Sequence, residues 1–234
     1  MCGEMTLLVK ICGLSTPEAL DAALDAGADM VGFVFFPPSP RHVAFDVART
    51  LSRRVRGRAE MVALTVDAGD SLFEAVVDTL RPDLLQLHGK EPPSRLLALK
   101  KRFGLPVMKA VAVEAKGDLA VVASYAPVAD RLLFDAQATS EATRPGGLGK
   151  SFDWRLLQGI DPGIPYMLSG GLDARNVGDA LRITRAPGVD VSSGVECAPG
   201  EKDPDKIRAF VRSARQAAEV APDDDRESSG DAHR

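Results

Sequence analysis

Leu7-Leu8-Val9-Lys10-Ile11-Cys12-Gly13 is an apolar run that stops at a thiol and a glycine. The next residues, Leu14-Ser15-Thr16-Pro17-Glu18, have the composition of a helix start, with Ser15 or Thr16 as N-cap and Pro17 in the first turn. Strand, short connection and helix make one β–α step, and the step recurs along the chain. Strand-like runs fall at Leu7–Cys12, Met30–Phe36, Met61–Val66, Leu84–Leu87, Val107–Val111, Leu132–Asp135, Tyr166–Ser169 and Val189–Ser192. Helix candidates fall between and after them, at Pro17–Ala26, Phe45–Val55, Ser71–Leu80, Pro93–Phe103, Asp118–Tyr125, Phe152–Gln158, Ala174–Arg182 and Pro204–Val220. Strict alternation at a spacing of roughly 30 residues is what successive βαβ units require. The runs are almost continuously apolar, as parallel strands covered on both faces should be. A closed (β/α)8 barrel and an open doubly wound sheet both accept this order. Eight strands favour closure, and no G-x-G-x-x-G follows the first strand. The expected fold is a single-domain α/β protein, a (β/α)8 TIM barrel over residues 5–220, followed by an acidic tail at 221–234 expected to be disordered.

The bulk numbers narrow the function classes. In 234 residues, 45% are hydrophobic and 26% charged, so a large core is available. A net charge of −4 argues against a general nucleic-acid-binding surface. The three cysteines, Cys2, Cys12 and Cys197, are odd in number and show no C-x-x-C spacing. Reduced thiols and a cytoplasmic location fit them better than disulfides. Residues 1–5 do not read as a signal peptide, and no apolar run reaches membrane-spanning length, so no membrane partner is expected. The three histidines are His42, His88 and His233, and a three-histidine metal site would need the tail, so no metal is expected.

In a barrel the strand C-termini and the loops after them build the site. Cys12 ends the first strand beside a helix N-terminus whose dipole favours thiolate; the plainer reading is a buried small hydrophobe. Asp135 ends the sixth strand and is either an acid–base group or a loop-stabilising carboxylate. Arg41 follows Pro37-Pro38-Ser39-Pro40, a stiff loop able to hold a guanidinium over the barrel mouth, or it is an ordinary surface arginine. His88 ends the fourth strand and either meets a ligand or is hydrogen-bonded in the rim. Ser169-Gly170-Gly171-Leu172 and Asp190-Val191-Ser192-Ser193-Gly194 follow strands seven and eight, where barrels commonly bind phosphate through backbone N–H groups. Gly146, Gly147 and Gly149 suggest a flap.

Taken together, these pieces resemble the phosphoribosylanthranilate isomerase family. The matching segments are Val9–Gly13, Gly27–Asp29 with Val31–Phe35, Ser39–Arg41, Leu85–Gly89, Leu133–Asp135, Gly146–Gly149 with Phe152–Trp154, Leu168–Leu172 and Val189–Glu196, in order over residues 7–217. The resemblance implies a cofactor-free aldose–ketose (Amadori) rearrangement of N-(5-phosphoribosyl)anthranilate in tryptophan biosynthesis. It implies Cys12 as general base, Asp135 as general acid and Arg41 as the anchor of the anthranilate carboxylate. The phosphate falls to Gly170, Gly171, Ser193 and Gly194, and Lys10, Gln86, His88 and Asp190 complete the expected substrate-binding set. The partner is then a small molecule, a phosphorylated aminosugar carrying anthranilate, and the chain a monomer or homodimer. Two departures are visible: Leu148 stands where the flap usually has a hydroxyl residue, and Ala136–Pro145 is longer than usual.

The implied chemistry needs two proton movements, one to the ring oxygen and one from the second ribose carbon. For Cys12 to be a base at neutral pH, a thiol of pKa near ~8.5 must fall by about a unit or two, and Lys10, on the same strand face, is the expected source of that charge. Two other barrel isomerization or synthase chemistries are disfavoured. A histidine-pathway isomerase would carry an aspartate at position 12, and an indole-forming synthase would use a lysine acid, for which the strands offer little beyond Lys10 and Lys109. A barrel retained only for binding would not need both Cys12 and Asp135.

Overall fold

A computed structural model describes residues 6–137, 146, 149 and 151–220. Cys2, Gly147, Leu148, most of Ala136–Pro145, His233 and the whole tail at 221–234 lie outside the described residues. Eight parallel strands close into a barrel in chain order: β1 (Leu8–Cys12), β2 (Met30–Phe35), β3 (Glu60–Thr65), β4 (Leu84–Leu87), β5 (Val107–Val113), β6 (Arg131–Ala136), β7 (Tyr166–Leu168) and β8 (Gly188–Val191). Closure is made by β1 against β8, with Leu8 opposite Gly188, Lys10 opposite Asp190 and Ile11 opposite Val191. The expected (β/α)8 barrel is therefore the observed fold.

Strand alternation sorts the side chains into two sets. Met30, Val62, Leu84, Met108, Ala110, Leu133 and Met167 point inward and fill the barrel. Val9, Ile11, Phe33, Phe35, Leu85, Phe134 and Val189 point outward into the main core under the helices. That outer shell is α1 (Pro17–Asp25), α2 (Phe45–Val55), α3 (Asp70–Leu80), α4 (Pro93–Phe103), α5 (Val122–Tyr125), α6 (Val177–Thr184) and α7 (Pro204–Val220). Each fully buried Phe or Leu in this set contributes roughly 1.5–3 kcal/mol. At the C-terminal mouth Cys12 packs with Val34 and Leu64, and Phe36 and Val66 lean on them.

Thr16 caps α1, its Oγ1 accepting from Ala19 N–H, with Pro17 in the first turn as expected. At the barrel's other end one device repeats. Asp29, Asp83 and Asp130 each precede an even-numbered strand, and each carboxylate accepts an N–H from a neighbouring odd strand, at Val9 (2.6 Å), Met61 (2.7 Å) and Val107 (2.8 Å). The seam is tied by α7, where Arg215 Nη2 donates to Gly27 O at 2.9 Å and Asp29 Oδ2 at 2.7 Å, while Nη1 donates to Leu7 O.

Two expected helices are reduced. Asp118–Tyr125 is a 3-10 stretch, Lys116–Val121, followed by the single turn α5. There Asp118 Oδ2 accepts from Glu114 and Ala115 N–H, and β-branched Val121 and Val122 favour helix weakly. Phe152–Gln158 forms only a 3-10 turn, Trp154–Leu157, because Asp153 caps it at one end and Gly159 (φ 72°) ends it at the other. Helix α6 starts at Val177, three residues later than expected, since Asp173 and Asn176 build a turn in front of it. One element was not anticipated: a hairpin, β9 (Glu196–Ala198) with β10 (Glu201–Lys202), rises after β8.

Candidate active site

The strand ends converge on one cleft at the C-terminal mouth, lined by Cys12 from β1, Arg41 after β2, His88 after β4, Asp135 from β6, Ser169 to Gly171 after β7, and Asp190 to Ser193 at the end of β8. Val34, Phe36, Leu64, Val66 and Leu172 supply an apolar wall. Three of the expected binding residues are not part of this lining: Lys10 and Gln86 are fully buried, and Gly194 is half-buried.

Cys12 is 3% exposed. Below it Lys10 donates to Asp190 Oδ1 at 2.6 Å, and Ser169 Oγ donates to Asp190 Oδ2 at 3.1 Å. Burial pushes the Cys12 thiol above its ordinary pKa, because the thiolate would lose its hydration; Lys10 and Lys202 pull the other way and Asp190 adds to the rise. The expectation of a depressed thiol pKa is corrected. Lys10 spends much of its charge on Asp190, so it cannot offset burial of the sulfur. Burial opposes charge on Lys10 too, but Asp190 and Cys12 more than offset it, and its pKa is raised.

On the facing strand, Asp135 is 5% exposed. Its Oδ1 accepts from Ala136 N–H at 2.9 Å and its Oδ2 lies 3.1 Å from His88 Nε2. His88 Nδ1 in turn lies 3.1 Å from Gln86 Nε2. A three-residue line thus runs from the barrel interior to the cleft, and it fixes the imidazole plane. Gln86 supports His88 and does not itself reach the lining.

The glycine loops have a packing reason that the sequence reading left out. A side chain at Gly194 would collide with the carbonyl of Leu172, so the loop after β8 can lie on the loop after β7 only as glycine. The two loops expected to share a phosphate are in direct contact.

Arg41 is not a surface side chain, being 4% exposed. Its Nε and Nη2 donate to Glu196 Oε1 and Oε2, both at 2.7 Å, a bidentate pair. Glu196 also accepts from Lys202 Nζ at 2.7 Å. Burial alone would raise the Glu196 pKa, but Arg41 and Lys202 more than offset it, and the carboxyl sits below its usual range. Lys202 is lowered to about 8, chiefly by burial, with Glu196 resisting and Arg41 assisting. Sequence reading missed Glu196 as a partner and Lys202 altogether. The available signal was Pro199-Gly200 between charged residues, a turn dipeptide that marks a hairpin.

Fold and mouth together define a (β/α)8-barrel enzyme. The chain matches the N-(5'-phosphoribosyl)anthranilate (PRA) isomerase family over residues 9–213, and it belongs to that family. Its activity is that of an isomerase of tryptophan biosynthesis. An N-(5'-phosphoribosyl)anthranilate isomerase of a Bradyrhizobium species is 65% identical over 217 residues, covering 93% of this chain and 99% of the relative. That of Nitrobacter hamburgensis is 63% identical over 216 residues, covering 92% and 96%. Among solved structures, the phosphoribosyl anthranilate isomerase of Thermotoga maritima has a TM-score of 0.81 at 34% identity, covering 90% of this chain and 99% of that one. A phosphoribosyl anthranilate isomerase in complex with reduced 1-(o-carboxyphenylamino)-1-deoxyribulose 5-phosphate has a TM-score of 0.78 at 33% identity, covering 90% and 99%.

Proposed function

We propose that the chain converts N-(5-phosphoribosyl)anthranilate to 1-(2-carboxyphenylamino)-1-deoxyribulose 5-phosphate, with Cys12 as general base and Asp135 as general acid. The observation that carries this reading is that the β1 thiol and the β6 carboxyl line one cleft with the loops after β7 and β8. The analogue held by a 33% identical relative has the skeleton of this product.

The chemistry divides between the two sides. A proton passes from Asp135 to the ribose ring oxygen as the C1–O bond breaks, and the nitrogen lone pair forms the protonated Schiff base. His88 steadies the acid across their 3.1 Å contact. Cys12 thiolate then takes the proton from C2, the electron pair forms the enolamine, and tautomerisation gives the ketone. General acid–base catalysis of this kind is worth about 10²–10⁴-fold for each group. The phosphate is assigned to Gly170, Gly171, Ser193 and Gly194, with Lys10 and Asp190 holding the floor. The apolar wall around Phe36 accepts the aromatic ring. Arg41 meets the anthranilate carboxylate with an orientation already set by Glu196. Neither described cysteine, Cys12 or Cys197, is in a disulfide, which suits a reducing cytoplasm.

Arg41→Ala is expected to raise KM about tenfold or more while kcat falls less, since a charge-assisted contact made equally to ground and transition states is lost. An unchanged KM in steady-state assays would remove the carboxylate anchor. The pH profile follows from the raised thiol pKa. The thiolate is the minor form at neutral pH, so kcat/KM should rise with pH on its base limb through the neutral and mildly alkaline range. A flat profile across that range would mean that the base is some other group. Loss of fluorescence of freshly made phosphoribosylanthranilate, compared between this chain and its Cys12→Ala form, tests the whole reading.

A further inference from the structure

The β9–β10 hairpin brings two buried charges, Glu196 and Lys202, against Arg41 at the mouth, and Lys202 has no part in the reaction proposed above. Arg41, Glu196 and Lys202 have side chains 5%, 5% and 1% exposed. Lys202 Nζ donates to Glu196 Oε1 at 2.7 Å, to Ser192 O at 2.8 Å and to Ser192 Oγ at 3.1 Å. Ser192 Oγ in turn donates to the carbonyl of Cys12 at 3.1 Å. One ammonium is thus wired both to the guanidinium side of the cleft and to the backbone of the thiol.

We infer that Lys202 and Glu196 are positioning residues of this site: Glu196 sets the Arg41 fork, and Lys202 locks Glu196, Ser192 and the Cys12 backbone together. The inference rests on the assignment of Cys12 and Arg41 above. It adds that one lysine from beyond β8 holds both the carboxylate that orients Arg41 and the serine bonded to the Cys12 carbonyl. The charged groups around Lys202 are Glu196 on β9, Arg41 after β2 and the thiol of β1, with Lys206 of α7 donating to the Glu196 carbonyl at 2.8 Å. The charged groups facing Cys12 are Lys10, Asp190 and Lys202.

The test uses the full chain and three variants, Glu196→Gln, Lys202→Met and Lys202→Arg, beside Cys12→Ala. Steady-state fluorescence gives kcat and KM, and iodoacetamide labelling followed by mass spectrometry of the Cys12 peptide gives thiolate reactivity against pH. Glu196→Gln should raise KM about tenfold with a smaller change in kcat, as expected for a loosened charge-assisted pair. Lys202→Met should raise KM and move the Cys12 labelling curve to higher pH, and Lys202→Arg should restore most of both. If Cys12→Ala retains turnover, the acid–base assignment fails. If Cys12→Ala is inactive but Lys202→Met keeps the parental KM and labelling curve, the present inference alone fails. If Lys202→Met does not fold by circular dichroism, Lys202→Arg and Glu196→Gln decide, and a parental KM in both overturns it.

Discussion

Cys12→Ala is expected to lose about 10²–10⁴-fold in kcat while binding a product analogue within a few-fold of the parent. The thiol ends β1 at the floor of the cleft, and the neighbouring carboxylate there, Asp190, is occupied by Lys10 Nζ at 2.6 Å and Ser169 Oγ at 3.1 Å. Lys10 is behind it and engaged by Asp190 at 2.6 Å. The site is also built around the sulfur. A methyl at Gly32, directly across the β1–β2 ladder, would lie 2.8 Å from Cys12 Sγ, so that neighbour must be glycine for the thiol to be seated. Truncation to alanine removes one buried atom and costs little stability compared with its effect on the rate. The distinguishing measurement is single-turnover rate beside analogue affinity. Near-parental turnover in the alanine form would end the case for a thiol base.

Asp135→Asn should give a loss of similar size, about 10²–10⁴-fold in kcat, through the other half of the reaction. Asparagine keeps the shape and can still face His88 and Ala136 N–H, now 3.1 and 2.9 Å from the carboxyl oxygens. It cannot deliver a proton to a departing ring oxygen. KM should therefore change little while kcat collapses, in contrast to Arg41→Ala. A variant that loses affinity and rate together would instead assign Asp135 to binding.

The barrel was legible because its strands are apolar on both faces. Every β1–β8 strand begins or ends within two residues of the apolar run that announced it. The thiol and carboxylate were legible because a barrel puts strand ends at the mouth, so position in the run stands in for position in space. The failures share a cause. The stretches at Asp118–Tyr125 and Phe152–Gln158 have apolar residues at helical spacing, but local caps, β-branched residues and Gly159 decide the backbone before packing can. The β9–β10 hairpin has strands of three and two residues, too short to show alternation. Its importance comes from charge pairing across 155 positions, between Arg41 and Glu196, which no local pattern records. The thiol's raised pKa was illegible for a similar reason. Burial of the sulfur, its main cause, comes from packing across strands, and the carboxylate that occupies Lys10 is 180 residues on from it.

That separation also bears on the order in which the molecule is made. Lys10 and Cys12 leave the ribosome first, yet the aspartate under the thiol, the serine that ties its carbonyl, and Arg215 of the last helix arrive only as synthesis nears its end. Until the final stave docks beside the first, a nascent chain carries a lysine with no counter-charge and a cysteine on an unclosed edge. A chain stopped short of residue 190 therefore lacks both the last barrel seam and the partner of Lys10.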